Sequence, residues 1–293
     1  MLKNRPKTRI LVDGGDPTES AKIRDLLGFL DGQTTNPSLI AKNPEIQERI
    51  KAGPLSRQEA TEAYRQIVKS ISPLVGDAGV SIEVFADLDT PADSMFAEGQ
   101  EMFAWIPNAY IKYPCTHEGL RAAEMSVKAG MRVNMTLCFS QEQAAAVYST
   151  TKGTKEPAYV SPFVGRLDDR GENGMDLVKN ISEMYRSSDH HVLVLAASIR
   201  SVEHLLSAFA LGADLVTVPA KVLEEWSAKG FPKPGSDQST TELTQGSRPL
   251  RPLQYEIIDL NMPWQKFNIA HDLTTQGIRK FVQDYWGTLK KTA

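Results

Sequence analysis

The sequence predicts an α/β protein of the (β/α)8 TIM-barrel type, and three observations predict it. Short β-branched runs alternate with amphipathic helical stretches, which implies a parallel sheet covered by helices. Eight such runs occur along the 293 residues, and eight strand–helix units suggest a closed barrel rather than an open sheet. The first run is followed by DGGDPTE; a doubly wound dinucleotide fold would carry G-x-G-x-x-G there. The expected organisation is one barrel domain over residues 1–293, with no internal repeat and no low-complexity tract.

The predicted strands are Ile10–Asp13, Gln33–Asn36, Val80–Val84, Tyr110–Tyr113, Val133–Leu137, Ala158–Phe163, His191–Ala196 and Leu215–Val218. Asp16 with Pro17, and Asn36 with Pro37, have the pattern of an N-cap followed by a proline in the first helical position. Ser140 and Gln143 have the spacing of a capping box. Gly130 and Gly212 stand where helices end. Residues 38–79 are long enough for two helices. Residues 230–253, rich in Pro, Gly, Ser and Thr, read as an extended loop: a lid, an oligomer arm or a plain connector. A C-terminal helical region follows at about 264–290.

Composition narrows the function. With 41% hydrophobic and 24% charged residues the chain is ordinary globular material. A net charge of −3 gives no electrostatic grip on nucleic acid or an anionic membrane. Cys115 and Cys138 have no metal-ligand spacing and cannot form a disulfide framework, so a reduced, cytoplasmic setting is expected. The N-terminus lacks an apolar signal segment. His117, His190, His191, His204 and His271 fall in no ligand motif, so no metal and no cofactor are expected.

In a barrel, chemistry sits at the C-terminal ends of the strands. Polar residues end or flank the apolar runs at Asp13, Asn36, Glu83, Lys112, Thr136, Ser161 and Ser198. Burying each without a partner costs about 1–3 kcal/mol, so a group of them suggests a polar pocket. Lys112 stands inside the strand YIKYP. A lysine snorkelling from a strand end would look the same, but a parallel barrel is covered on both faces and offers it little route to water. Burial disfavours an ammonium, which frees an amine for attack on a carbonyl. Asp13 reads either as a turn aspartate or as a carboxylate moving protons for Lys112; Asp16, in the same turn, is the competing candidate for that role but reads more readily as a helix cap. Glu83 reads as a partner of Lys112 or as the holder of a water. Asn134 and Thr136, two apart, share one strand face, as core polar groups or as contacts to a polyol. Arg166 and Arg200, each a few residues past Ser161 or Ser198, read as phosphate ligands or as surface ion pairs.

Six segments in this order carry a family resemblance: DGQTTNPSLI (31–40), SIEV (81–84), IKYPCTHEGLRAAE (111–124), VNMTLCFSQEQA (133–144), YVSPFVGRLDD (159–169) and VLAASIRSVEHLLSAFALGADLVTVPAKVL (194–223). On them the chain resembles the transaldolase family, and FNIAHDLTTQGIRKFVQDYW looks like that family's closing helix. The resemblance implies a metal-free Schiff-base enzyme. Lys112 matches the Schiff-base lysine, Asp13 the acid/base, and Glu83 with Thr136 the pair that positions a water. Asn36, Asn134 and Ser161 match the contacts to a dihydroxyacetone unit, and Arg166, Ser198 and Arg200 the phosphate site. The implied reaction takes three carbons from sedoheptulose 7-phosphate or fructose 6-phosphate to an aldose phosphate, as in the pentose phosphate pathway. A homo-oligomer is expected, without nucleic-acid or membrane partners.

The related fructose-6-phosphate aldolases carry Gln where Glu83 stands and Tyr where Phe163 stands, so both residues here favour transfer over release. Two departures stand out. The first strand continues Asp13-Gly14 where the family commonly has Asp-Thr, and residues 230–253 are long for the family's short forms. The second keeps a modified acceptor, such as a sulfo-sugar, in view.

Overall fold

The computed structural model describes residue 2, residues 5–234 and residues 249–289. Eight parallel strands run in sequence order around a closed barrel, and the last pairs with the first. They are β1 (Arg9–Asp13), β2 (Gly32–Thr34), β3 (Gly79–Glu83), β4 (Ala109–Pro114), β5 (Val133–Cys138), β6 (Ala158–Pro162), β7 (Val192–Ala196) and β8 (Leu215–Val218). Every predicted strand is present. β2 ends two residues earlier than predicted because Asn36 caps the next helix instead.

The helices that wrap the barrel are α1 (Pro17–Leu27), α2 (Pro37–Ala41), α3 (Pro44–Ala52), α4 (Arg57–Ile71), α5 (Ala92–Phe103), α6 (His117–Lys128), α7 (Gln141–Thr150), α8 (Val164–Asp169), α9 (Gly174–Tyr185), α10 (Val202–Leu211), α11 (Ala220–Ala228) and α12 (Asp272–Trp286). The stretch read as two helices holds α3 and α4, with the short α2 before them and a 3-10 turn, Ser72–Leu74, after. A second 3-10 turn, Trp264–Lys266, precedes α12. Residues 235–248, the centre of the predicted loop, lie outside the described residues.

The local signals act as their chemistry demands. Asp16 Oδ1 accepts from Thr18 N at 2.8 Å and Asn36 Oδ1 from Leu39 N at 2.9 Å. Gly130 and Gly212 have φ of 76° and 67°, the left-handed turn that ends a helix. Ser140 caps Gln143 N at 3.1 Å, but Gln143 does not complete the capping box. Its Oε1 accepts from Phe139 N at 2.7 Å, and its Nε2 reaches Ile269 O at 3.1 Å and Thr274 Oγ1 at 2.9 Å. Thr274 in turn donates to Leu137 O at 2.9 Å. Leu137 has φ 58°, and the β5–β6 register shifts between Met135 and Cys138. The start of α12 is thus pinned over a bulge at the end of β5.

Residues paired across neighbouring strands point the same way, and faces alternate along each strand. Glu83, Lys112 and Asn134 are in register on β3, β4 and β5, facing inwards. Tyr113, one residue on, faces outwards and its hydroxyl meets Ser126 Oγ of α6 at 2.8 Å. Below the polar layer the rings of Tyr110 and Tyr159 stack with centroids 4.2 Å apart and floor the barrel. Tyr113 fits because α5 presents a glycine: a Cβ on Gly99 would lie 2.0 Å from the Tyr113 hydroxyl.

Gly99→Ala is therefore expected to lower the urea-unfolding free energy by about 1–3 kcal/mol through overpacking. A variant within ~0.5 kcal/mol of the parent would show that α5 can simply move away.

Candidate active site

Burial makes Lys112 the first residue to account for. It is 3% exposed, and its Nζ donates to the carbonyl oxygen of Thr35 at 2.9 Å. Nζ also stands 2.9 Å from Glu83 Oε2, an ion pair across the β3–β4 register. The approach misses hydrogen-bond geometry, so Oε2 accepts no hydrogen bond from another described protein group. Burial pushes the Glu83 carboxyl above the usual carboxylate range, and the Lys112 charge opposes the shift.

Asp13, at the end of β1, opens partly to the cleft. The surrounding barrel desolvates its carboxyl and raises its pKa, against the pull of Lys112 and a hydrogen bond from Thr34. That bond runs from Thr34 Oγ1 to Asp13 Oδ1 at 2.7 Å, and Thr34 Oγ1 is also 2.6 Å from Thr217 Oγ1 of β8.

The cleft above these groups has a volume of about 250 Å3 and includes Asp13, Asn36, Lys112, Thr136, Ser161 and Phe163 in its wall. Arg166, Ser198 and Arg200 line the same cleft. Thr136 Oγ1 has no hydrogen-bond partner among the described residues, a position that suits a ligand or water. Asn36 spends its Oδ1 on the α2 cap, which leaves its Nδ2 for the cleft. Asn134 does not line the cleft. It lies behind Ser161, accepting from Ser161 Oγ at 2.7 Å and donating to Ser81 Oγ at 3.0 Å. Glu83 likewise lies behind Lys112 and borders a small apolar cavity beneath α4.

The two arginines differ. Arg200 forms a bidentate ion pair with Asp169, its Nη2 2.7 Å from Oδ2. Arg166 has no carboxylate within ion-pair distance among the described residues. Its guanidinium lies 5.5 Å from the ring centroids of both Phe163 and Phe281. Gly277 of α12 makes room for it, since a Cβ there would lie 2.6 Å from Arg166 Nη1. Burial lowers the Arg166 pKa, which marks a charge that gains from an anionic neighbour.

Some of the cleft was missed by sequence reasoning. Thr217 is a polar residue near a strand end, so the rule that found Thr136 could have found it, and Thr34 stands in the quoted TTNPSLI. Lys280, Phe281 and Asp284 of α12 gave no signal. Asp284 reaches the cleft through Ser38 Oγ, 246 residues away in sequence.

The family model for transaldolase/fructose-6-phosphate aldolase matches residues 10–292. The chain belongs to the transaldolase/fructose-6-phosphate aldolase family. Among similar proteins, a probable transaldolase of Roseiflexus sp. (strain RS-1) is 42% identical over 199 residues, which are 68% of this chain and 80% of that protein. A probable transaldolase of Dinoroseobacter shibae is 38% identical over 217 residues, 74% of this chain and 88% of that protein. A third, from Bacteroides thetaiotaomicron, is 42% identical over 200 residues, 68% and 81% of the two chains. Members of this family are enzymes, so the polar cleft is an active-site candidate on grounds independent of its shape. No helix among the described residues is long and apolar enough to cross a membrane.

The Thr34 hydroxyl stabilises the ionised form of Asp13, so Thr34→Val is expected to raise the pH at which Asp13 titrates. Carbon-13 NMR of the Asp13 carboxyl would read this directly, and an unchanged or lower titration point would rule it out.

Proposed function

We propose that the chain is a transaldolase that holds a dihydroxyacetone unit on Lys112 as a Schiff base and passes it from a ketose phosphate to an aldose phosphate. The observation that carries the reading is a buried lysine amine facing a polar cleft, with carboxylates on both sides and, in the same wall, an arginine with no carboxylate partner among the described residues.

In this reading Lys112 Nζ attacks the C2 ketone, and loss of water gives an iminium. Asp13 takes the proton of the C4 hydroxyl. The C3–C4 bond then breaks, its electron pair moves toward the iminium, and an aldose leaves. The three-carbon enamine stays on Lys112 until the aldehyde of a second aldose accepts it, and the same steps run in reverse. Glu83 and Thr136 hold the water that enters and leaves at C2; burial raises the Glu83 pKa, which makes its carboxyl a readier proton acceptor than an exposed one. Asn36 and Ser161 contact the three-carbon hydroxyls, with Asn134 orienting Ser161. Arg166, with Ser198 and Arg200, receives the phosphate.

Release of free dihydroxyacetone, the aldolase reaction, is the rival. Phe163 disfavours it, because it presents a ring to Arg166 and no hydroxyl to protonate the enamine. A guanidinium reads a sulfonate as well as a phosphate, so a sulfo-sugar acceptor fits the same cleft.

Borohydride reduction in the presence of fructose 6-phosphate is expected to fix an adduct on Lys112, located by peptide mass spectrometry and absent from Lys112→Met. An adduct on another lysine would sink the assignment, and acceptor-independent release as fast as transfer would favour the aldolase. Arg166→Ala and Arg200→Ala should each raise KM for phosphorylated donors about 10-fold or more, from the loss of charge-assisted hydrogen bonds, with little change for free fructose. Arg166, which has no carboxylate partner among the described residues, should give the larger effect; equal effects on both donors would remove the phosphate role.

A further inference from the structure

Tyr64 lies outside the cleft, on α4, and its hydroxyl joins the two strand ends that hold Lys112. In a parallel ladder the bonds are evenly spaced and alternate in direction between the strands. Between β2 and β3 the last bond runs from Thr35 N to Ser81 O at 2.9 Å. Continuation of that pattern would send Glu83 N–H to the carbonyl of Thr35. It does not. Glu83 N–H instead donates to the Tyr64 hydroxyl at 3.0 Å, and the Thr35 carbonyl accepts from Lys112 Nζ at 2.9 Å.

The proton count fixes the direction of the remaining bond. Thr35 Oγ1 donates its own hydrogen to Ser81 O at 2.9 Å. The 2.5 Å contact between Thr35 Oγ1 and the Tyr64 hydroxyl is therefore donated by Tyr64. The phenol accepts one bond and gives one, and burial pushes its pKa upward, so it keeps the proton this pattern requires. The ring is anchored edge-on against Trp105, with centroids 5.8 Å apart.

We infer that Tyr64 is a positioning residue: by taking the Glu83 N–H out of the β2–β3 ladder it leaves the Thr35 carbonyl to hold Lys112 Nζ and fixes Glu83 beside that amine. Without the hydroxyl, Glu83 N–H turns to the ladder acceptor that Lys112 now occupies. Both the lysine and the carboxylate then lose their fixed positions. The inference rests on the Schiff-base reading of Lys112 and Glu83.

Tyr64→Phe keeps the ring and removes the hydroxyl. The expected result is a folded enzyme, by circular dichroism and Tm, in which kcat for transfer falls about tenfold or more with KM for the donor little changed. Single-turnover borohydride trapping on Lys112 slows in step, and the fraction of three-carbon units released without an acceptor rises. A merely structural tyrosine would lower Tm and leave that fraction alone. A folded Tyr64→Phe with parental kcat and parental release fraction overturns the inference. Should Tyr64→Phe not fold, Thr35→Val decides: it keeps the main-chain carbonyl and removes the acceptor of the Tyr64 proton, so a smaller shift in both readouts is expected and parental values refute the role. A parent enzyme that is trapped on Lys112, beside variants that do not differ from it, fails the inference alone. The absence of any Lys112 adduct in the parent fails the Schiff-base reading and the inference with it.

Discussion

The confinement of one amine organises the rest of this protein. Lys112 sits on the inner face of β4, where the closed barrel leaves it almost no contact with water. An ammonium in that position needs a charge and a hydrogen-bond acceptor, and it has one of each: Glu83 from the adjacent strand and the carbonyl of Thr35. Both partners are supplied at a cost elsewhere. Glu83 is itself buried and resists ionisation, and the Thr35 carbonyl is lost to the sheet ladder. A buried ion pair of this kind contributes little net stability.

Two of the helices around the barrel act on that site from outside. α4 delivers the Tyr64 hydroxyl to the backbone of Glu83. α12, the last of the described helices, forms part of the cleft wall with Lys280, Phe281 and Asp284. Gln143 and Thr274 fasten its start to the strained end of β5, near Thr136. Residues far apart in sequence thereby share one cleft, and the order of the strand ends determines which of them meet.

Arg166 shows a different solution to a charge at the cleft wall. Arg200 is neutralised by Asp169, whereas Arg166 is held by two aromatic rings and a glycine that lets it in. Rings attract the guanidinium without satisfying its donors, so an anion can still do so. That contrast could not be read from sequence, where both arginines follow a serine by a few residues in the same way.

The sequence by itself determined the barrel, its eight strands and most of the polar residues near the cleft. The reason is periodicity: a strand buried on both faces must be apolar, so Asp13, Glu83, Lys112 and Thr136 stand out where they interrupt or end such runs, and strand ends in a barrel all lead to one face. Caps at Asp16 and Asn36 were legible because they act within four residues. The tertiary structure alone decided that Asn134 supports Ser161 from behind the cleft and that Thr34 holds Asp13. It alone decided that Arg166, unlike Arg200, has no carboxylate within ion-pair distance among the described residues, and that a tyrosine 19 residues before Glu83 takes over its backbone hydrogen. Each of these depends on which atoms meet across strands or between a helix and a strand end. Distances of a few tenths of an ångström and the count of available hydrogens settle such choices, and no local pattern in the chain records them.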